Sequence, residues 1–174
     1  MLFIGYFSYR PNARAAQFLI DELVPGLSDS LGDFELLLVG PSPTDKMLSA
    51  AAKDPRIKVP GEVEDLGKFL AVADVSLVPL FSGSGTRLKV LESFASEIPV
   101  ISTSKGVEGL NATPGHHFIL AESAADFTRQ LILLHDSLSF REQLSSVAYE
   151  LVDSAYSSKN TLERISGALR NGQD

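Results

Sequence analysis

Apolar residues in this chain fall in short consecutive runs, separated by stretches of helical periodicity. Leu2 to Phe7 reads as a first strand. Asn12 follows as a helix cap, because its side chain can accept from the free amides of a first turn. From Ala13 to Leu27 a helical face carries Ala16, Leu19, Ile20 and Leu23. Phe34 to Gly40 is a second strand, Thr44 to Lys53 a short helix, and Arg56 to Val59 a weaker third strand. Val63 to Val72 is predicted helical, with Leu66, Leu70 and Ala71 inward. Asp74 to Leu80 is a fourth strand. The glycine-rich loop Ser82-Gly83-Ser84-Gly85 then leads into a helix from about Thr86 to Ser96. Pro99 to Ser102 and His117 to Leu120 are further strands, and two or three helices fill residues 123–170.

The runs at 36–39, 75–78 and 99–101 are apolar on consecutive positions, as in a parallel sheet covered on both faces. Strands and helices alternate. The expected fold is therefore α/β: a doubly wound, Rossmann-like parallel sheet of about six strands, with helices on both faces. Ligands bind such sheets beyond the carboxyl ends of the strands, where the strand order reverses. Functional residues are expected in Gly5–Asn12, Gly40–Pro43, Pro60–Glu64, Ser82–Glu92 and Thr103–Leu110.

Length and charge narrow the function classes. The chain has 174 residues, enough for one domain with a substantial core. It contains no cysteine, which excludes disulfides and thiolate chemistry and fits a reducing cytoplasm. A net charge of -7 argues against a nucleic-acid partner, since phosphate backbones demand an excess of Lys and Arg. No apolar run reaches the roughly 18 residues of a membrane-spanning helix. The abrupt opening on a strand suggests part of a longer protein.

Chemistry concentrates in Ser82-Gly83-Ser84-Gly85-Thr86-Arg87-Leu88-Lys89-Val90-Leu91-Glu92. Glycines let a backbone approach a ligand closely. A helix that starts there aims free amides and a partial positive charge at the ligand. Arg87 and Lys89 add full positive charges, which makes a diphosphate cradle. On a helical wheel Leu88, Leu91 and Ala95 form the core stripe, while Lys89, Glu92, Ser93 and Glu97 face away. Glu92 is placed to accept from two adjacent hydroxyls, such as those of a ribose. The plainer reading makes the loop a mere turn, with Lys89 and Glu92 a surface pair worth about 0.2–0.5 kcal/mol. The histidines read as surface or strand residues: His116 and His117 lack a carboxylate at ligand spacing, and His135 lies on a solvated helix face. No dinucleotide fingerprint, Walker element or metal site is expected.

Five segments in register resemble one family. Gly83 to Glu92, Pro99 to Ser104 with Gly106 to Leu110, Phe3-Ile4-Gly5 followed by Pro11-Asn12, Leu38-Val39-Gly40, and Pro60 to Leu66 are similar to the carboxyl-terminal, donor-binding domain of group 1 (family 4) retaining glycosyltransferases of GT-B type. The likeness runs over roughly residues 2–135.

The resemblance implies a transferase that moves a sugar from a nucleoside diphosphate to an acceptor, without metal or other cofactor. It implies that Gly5 lies near the donor phosphates, that Gly61, Glu62 and Val63 border the base, and that Glu92 holds the ribose. Arg87 and Lys89 would neutralise the diphosphate as the catalytic cations, beside the substrate loop Gly83, Ser84, Gly85 and Thr86. The family pattern pairs Glu92 with an earlier glutamate, whose position here is Ser84. Many members also carry basic residues after the first strand; here Arg10 stands there, with no role assigned. Residues 2–155 would form the nucleotide-sugar domain and 156–170 its final helix. An amino-terminal acceptor domain would be absent, so the chain alone would not transfer sugar, and any membrane contact would belong to that missing half. The alternatives are a nucleotide-sugar 2-epimerase-like enzyme and a non-catalytic flavodoxin-like or receiver-like module.

Overall fold

The computed structural model describes residues 1–27 and 31–155. Six strands form one fully parallel sheet: β1 (Leu2–Ile4), β2 (Leu36–Val39), β3 (Ile57–Gly61), β4 (Ser76–Val78), β5 (Val100–Ser102) and β6 (Ile119–Leu120). Their order is β3-β2-β1-β4-β5-β6. The chain winds outward from β1 through β3, returns, and winds the other way from β4 through β6. The switch point therefore lies between β1 and β4, which the Gly5–Asn12 and Ser82–Glu92 segments follow directly.

The consecutive apolar runs have the burial that predicted them. Leu77, Val78, Val100 and Ile101 are all buried, so both faces of the central strands are covered. The helices are α1 (Arg10–Phe18), α2 (Val24–Leu27), α3 (Asp45–Lys53), α4 (Gly67–Leu70), α5 (Leu88–Ala95), α6 (Ala124–Asp136) and α7 (Leu138–Ala155). Thr44 caps α3 by accepting from the Met47 amide, and Ser123 caps α6 by accepting from Asp126. A π-helical turn, Leu19–Leu23, joins α1 to α2. There the Val24 amide donates to the Leu19 carbonyl, just before Pro25, which has no amide hydrogen to continue an α-helical ladder.

Two predicted helices differ from those observed. The Val63–Val72 helix shrinks to the single turn of α4, and Ala71 and Val72 are exposed. Gly67 lowers its helix propensity, and Leu66, Phe69 and Leu70 gain only partial burial. In α5 the inward face is Val90, Ser93 and Phe94, whereas Leu88 is 58% exposed and Ala95 is at the surface. The wheel misplaced this face by treating Lys89 as solvated. Its hydrocarbon stem is apolar, and turning it inward aligns it with Val90, Ser93 and Phe94 over the sheet. Residues 156–170, predicted as a final helix, lie outside the described residues.

Candidate functional site

The loop after β1 and the glycine loop after β4 meet at the switch point. Gly83 and Gly85 have φ of +105° and +110°, a region that side chains disfavour. At Gly83 a Cβ would also lie 2.7 Å from the Tyr9 hydroxyl and 2.9 Å from Pro11 Cγ. Tyr9 Oη accepts from the Ser84 amide at 3.2 Å and donates to the Ser84 carbonyl at 3.4 Å, so one phenol stitches the two loops together. Ser84, Gly85 and Thr86 are exposed above this joint. The chain then enters α5, whose first turn no side chain caps.

Arg87 and Lys89 leave that junction in different directions. Arg87 is only 6% exposed. Its Nη2 donates to the Gly83 carbonyl and to Glu108 Oε2, both at 3.4 Å, and its buried Nε finds no partner among the described residues. Five N–H donors serve two long bonds, so much of the guanidinium's capacity is unused. Glu108 is shared: Lys105 Nζ stands 2.6 Å from the same oxygen. That bond, with the charges of Lys105 and Arg87, holds the Glu108 carboxyl below its usual range.

Lys89 turns into the protein. Its Nζ donates to Asn12 Oδ1 at 2.7 Å and stands 4.5 Å from the centre of the Phe3 ring, a cation–π arrangement. It forms no ion pair with Glu92, so the surface-pair reading does not describe this residue. Burial, then the nearby charge of Arg87, pushes the Lys89 pKa down to about 7, against a smaller opposing pull from Glu92. Glu92 itself is half-buried one turn along α5.

Asn12 is a correction. It does not cap a helix: the N-cap is Tyr9, and α1 already runs from Arg10 with Pro11 in its first turn. The Asn12 side chain is buried, donates to the Tyr6 carbonyl at 3.0 Å and accepts from Lys89. Gly5 makes room for it, since a Cβ there would lie 2.9 Å from Asn12 Cγ. The buried Gly5 thus leaves its space to Asn12.

Gly61, Glu62 and Val63 lie at the end of β3, on the far side of β2 from the Arg87–Lys89 pair. Gly61 has φ +77° and accepts from the Gly40 amide at 2.9 Å. Glu62 is exposed. On the β5 side, Thr103 Oγ1 donates to the Leu80 carbonyl and accepts from the Gly106 amide, tying the Glu108 turn to the end of β4. Tyr9, Glu108, Lys105 and the true role of Asn12 escaped the sequence reading. All four lie in segments expected to carry function, Gly5–Asn12 and Thr103–Leu110, but the partners of Tyr9, Asn12 and Glu108 across the site are distant in sequence and nothing local assigned them. His116 is exposed, and the His117 Nδ1 accepts from the Thr113 amide, away from the cleft residues.

A concavity of about 280 Å³ lies elsewhere. Met1, Phe34, Asp74, Leu131, His135 and Arg141 line it, at the end where β1, β2 and β4 begin. It lies opposite the switch point and gathers none of these groups. No helix among the described residues is long and apolar enough to cross a membrane.

A doubly wound α/β domain with two cations and a glycine loop at its switch point belongs to the class of nucleotide- and phosphate-binding folds. More particularly, residues 1–137 match the family model described as "Glycosyl transferases group 1", and the chain belongs to that family. It is 27% identical over 157 residues to a phosphatidyl-myo-inositol mannosyltransferase of Mycobacterium leprae, covering 87% of this chain and 41% of that protein. It is 26% identical over 87 residues to an uncharacterized 44.6 kDa protein in the cps region of Klebsiella pneumoniae, covering 50% of this chain and 22% of that one. The chain thus spans less than half the length of these curated relatives. Among solved structures it is similar to the C-terminal domain of a glycosyl transferase group 1 family protein, LpcC, of Francisella tularensis. There the TM-score is 0.74 at 19% identity, with 90% of this chain and 86% of that one covered. It is also similar to Anabaena HepE in complex with UDP. There the TM-score is 0.78 at 13% identity, with 98% of this chain and 48% of that one covered. The family match leaves the flavodoxin-like and epimerase-like alternatives without support.

Proposed function

We propose that this chain is the donor-binding half of a retaining glycosyltransferase, and that it presents a nucleoside-diphosphate sugar to an acceptor held on a separate amino-terminal domain. The observation that carries this reading is unused cationic capacity at the switch point. Arg87 donates through two long bonds, and the Lys89 ammonium is bonded to a neutral amide. Both stand beside the exposed loop Gly83, Ser84, Gly85 and Thr86. A diphosphate fits this arrangement. Arg87 and Lys89 would neutralise it as it departs from the anomeric carbon, the usual electrostatic strategy for a developing anion. Glu92 would take the ribose hydroxyls, and Gly61, Glu62 and Val63 the base. With two cations beside the loop and a helix amino terminus at its end, an anion there would need no metal to bind. The chain's share of its relatives supports a missing partner domain, which would also carry any membrane contact. The cysteine-free sequence suits the cytoplasm.

The anomeric carbon and the acceptor meet only when both are held. A lone donor half therefore forgoes effective molarities of about 10⁵ M or more. Incubating the chain with UDP-, GDP- and ADP-sugars and a panel of acceptors should give at most slow donor hydrolysis by mass spectrometry. Multiple-turnover transfer by the chain alone would contradict the half-enzyme reading.

A further inference from the structure

We infer that Asn12 is the positioning residue for Lys89, holding the ammonium at the switch point through a neutral clamp that leaves its charge available to an anion. This rests on the diphosphate reading of the cleft for its functional consequence, although the clamp itself is a matter of geometry.

The amide is fixed at both ends. Its Nδ2 donates to the Tyr6 carbonyl at 3.0 Å, and its Oδ1 accepts from Lys89 Nζ at 2.7 Å. The two roles cannot exchange, because a carbonyl accepts only and an ammonium donates only. The side chain is 8% exposed, so neither bond is readily replaced by water. Its place is reserved by Gly5, where any Cβ would collide with Asn12 Cγ at 2.9 Å. The Phe3 ring closes the other side of Lys89, 4.5 Å from Nζ.

The choice of residue type follows. An aspartate would lose the donor to Tyr6 and place a negative charge against the lysine, cancelling the charge an anion needs. A serine or alanine would not reach both partners. The charged groups acting on Lys89 are Arg87 and Glu92 on its own segment, with Glu108 and Lys105 engaged beyond them at Arg87. The elements packed over it, β1 and α1, present the uncharged Phe3 and Asn12. Burial first, then the charge of Arg87, holds the Lys89 pKa down at about 7, with Glu92 pulling the other way. Above that value an incoming anion must be accompanied by a proton, taken up from solvent onto the neutral amine.

The test uses the full chain as wild type, Asn12→Asp, Asn12→Ala and Lys89→Met, each checked for folding by thermal melting. In the first arm no ligand is present. The Cε–Hε resonance of Lys89, assigned by its loss in Lys89→Met, is followed by NMR against pH. Wild type should titrate near 7, and Asn12→Asp should move the midpoint up. In the second arm UDP-glucose and GDP-mannose are titrated calorimetrically from pH 6 to 9. A doubly esterified diphosphate does not itself titrate in this range. Wild-type affinity for the sugar that binds should fall as pH rises through 7. Asn12→Ala should bind about tenfold more weakly, as for loss of a charge-assisted hydrogen bond. Asn12→Asp should bind about tenfold more weakly because its carboxylate offsets the ammonium's charge, and should show a raised midpoint. A merely structural role would lower melting temperature without moving either midpoint. If Asn12→Asp does not fold, Asn12→Ala decides through its affinity and its Lys89 resonance. A Lys89 midpoint and affinity unchanged in a folded Asn12 variant overturns the inference. If wild type binds neither sugar, the diphosphate reading falls, and the first arm alone decides the clamp.

Discussion

The Tyr9 hydroxyl bonds both the amide and the carbonyl of Ser84, 75 positions away in sequence. This contact sets the height of the glycine loop over the β1 loop. A hydrogen bond of this kind contributes about 1 kcal/mol net. Tyr9→Phe should therefore leave the fold intact, speed hydrogen exchange at the Ser84 amide, and weaken nucleotide-sugar binding a few-fold. Exchange-detected NMR measures the first effect directly. An unchanged Ser84 exchange rate would show that other contacts set the loop.

Glycines near the site should divide by what surrounds them. At Gly106 a Cβ would lie 2.7 Å from the Val78 carbonyl and still closer to Ser102 Oγ, so the Lys105–Val107 turn would have to lift from the ends of β4 and β5. Gly106→Ala should cost roughly 2–4 kcal/mol of stability, the upper range for overpacking near backbone. At Gly85 nothing lies within 4 Å, and only its φ of +110° opposes a side chain. Gly85→Ala should cost about 1–3 kcal/mol of local strain at most. Denaturant unfolding of the two variants side by side gives the ranking.

Lys89 links stability to pH. Its folded pKa, about 7, lies below the 10.5 of an ordinary lysine. Between these values the unfolded chain binds more protons than the folded one, so this residue's contribution to stability rises with pH. Below pH 7 both states are protonated and the penalty is constant; above 10.5 it vanishes. Lys89→Met should flatten the stability profile between about pH 7 and 10 relative to wild type. Parallel profiles for the two proteins would mean that Lys89 is solvated.

Glu92 should discriminate ribose from deoxyribose. Hydrogen bonds to a charged group contribute about 1.5–3 kcal/mol. A ribonucleoside diphosphate should bind more tightly than its 2′-deoxy analogue by that amount, and Glu92→Ala should remove most of the difference. Equal calorimetric affinities for the two ligands in wild type would take Glu92 out of the site.

Much of the fold was legible because burial on both faces leaves a mark on consecutive residues. Leu36 to Val39 and Val100-Ile101 announce a parallel sheet by their apolar side chains alone, and the alternation with helices announces double winding. The loops that meet at the switch point followed from that topology. The face of α5 was not legible, because a wheel scores Lys89 by its charge and not by the hydrocarbon that covers Phe3. Asn12 misled for a related reason: Pro11 and the preceding loop start α1 early, and this converts a cap residue into a buried clamp. Glu108 depends on a contact 21 residues distant from Arg87, which no local pattern encodes.

The direct measurement is calorimetric titration of the chain with UDP, GDP and ADP, with and without chelator, in wild type, Arg87→Ala and Lys89→Met. One of the nucleotides should bind at one site per chain, equally well with chelator, and each substitution should weaken it at least about tenfold, or 1.4 kcal/mol. Failure of all three nucleotides to bind, or binding that both substitutions leave unchanged, would contradict the assignment of the switch-point cleft as the diphosphate site.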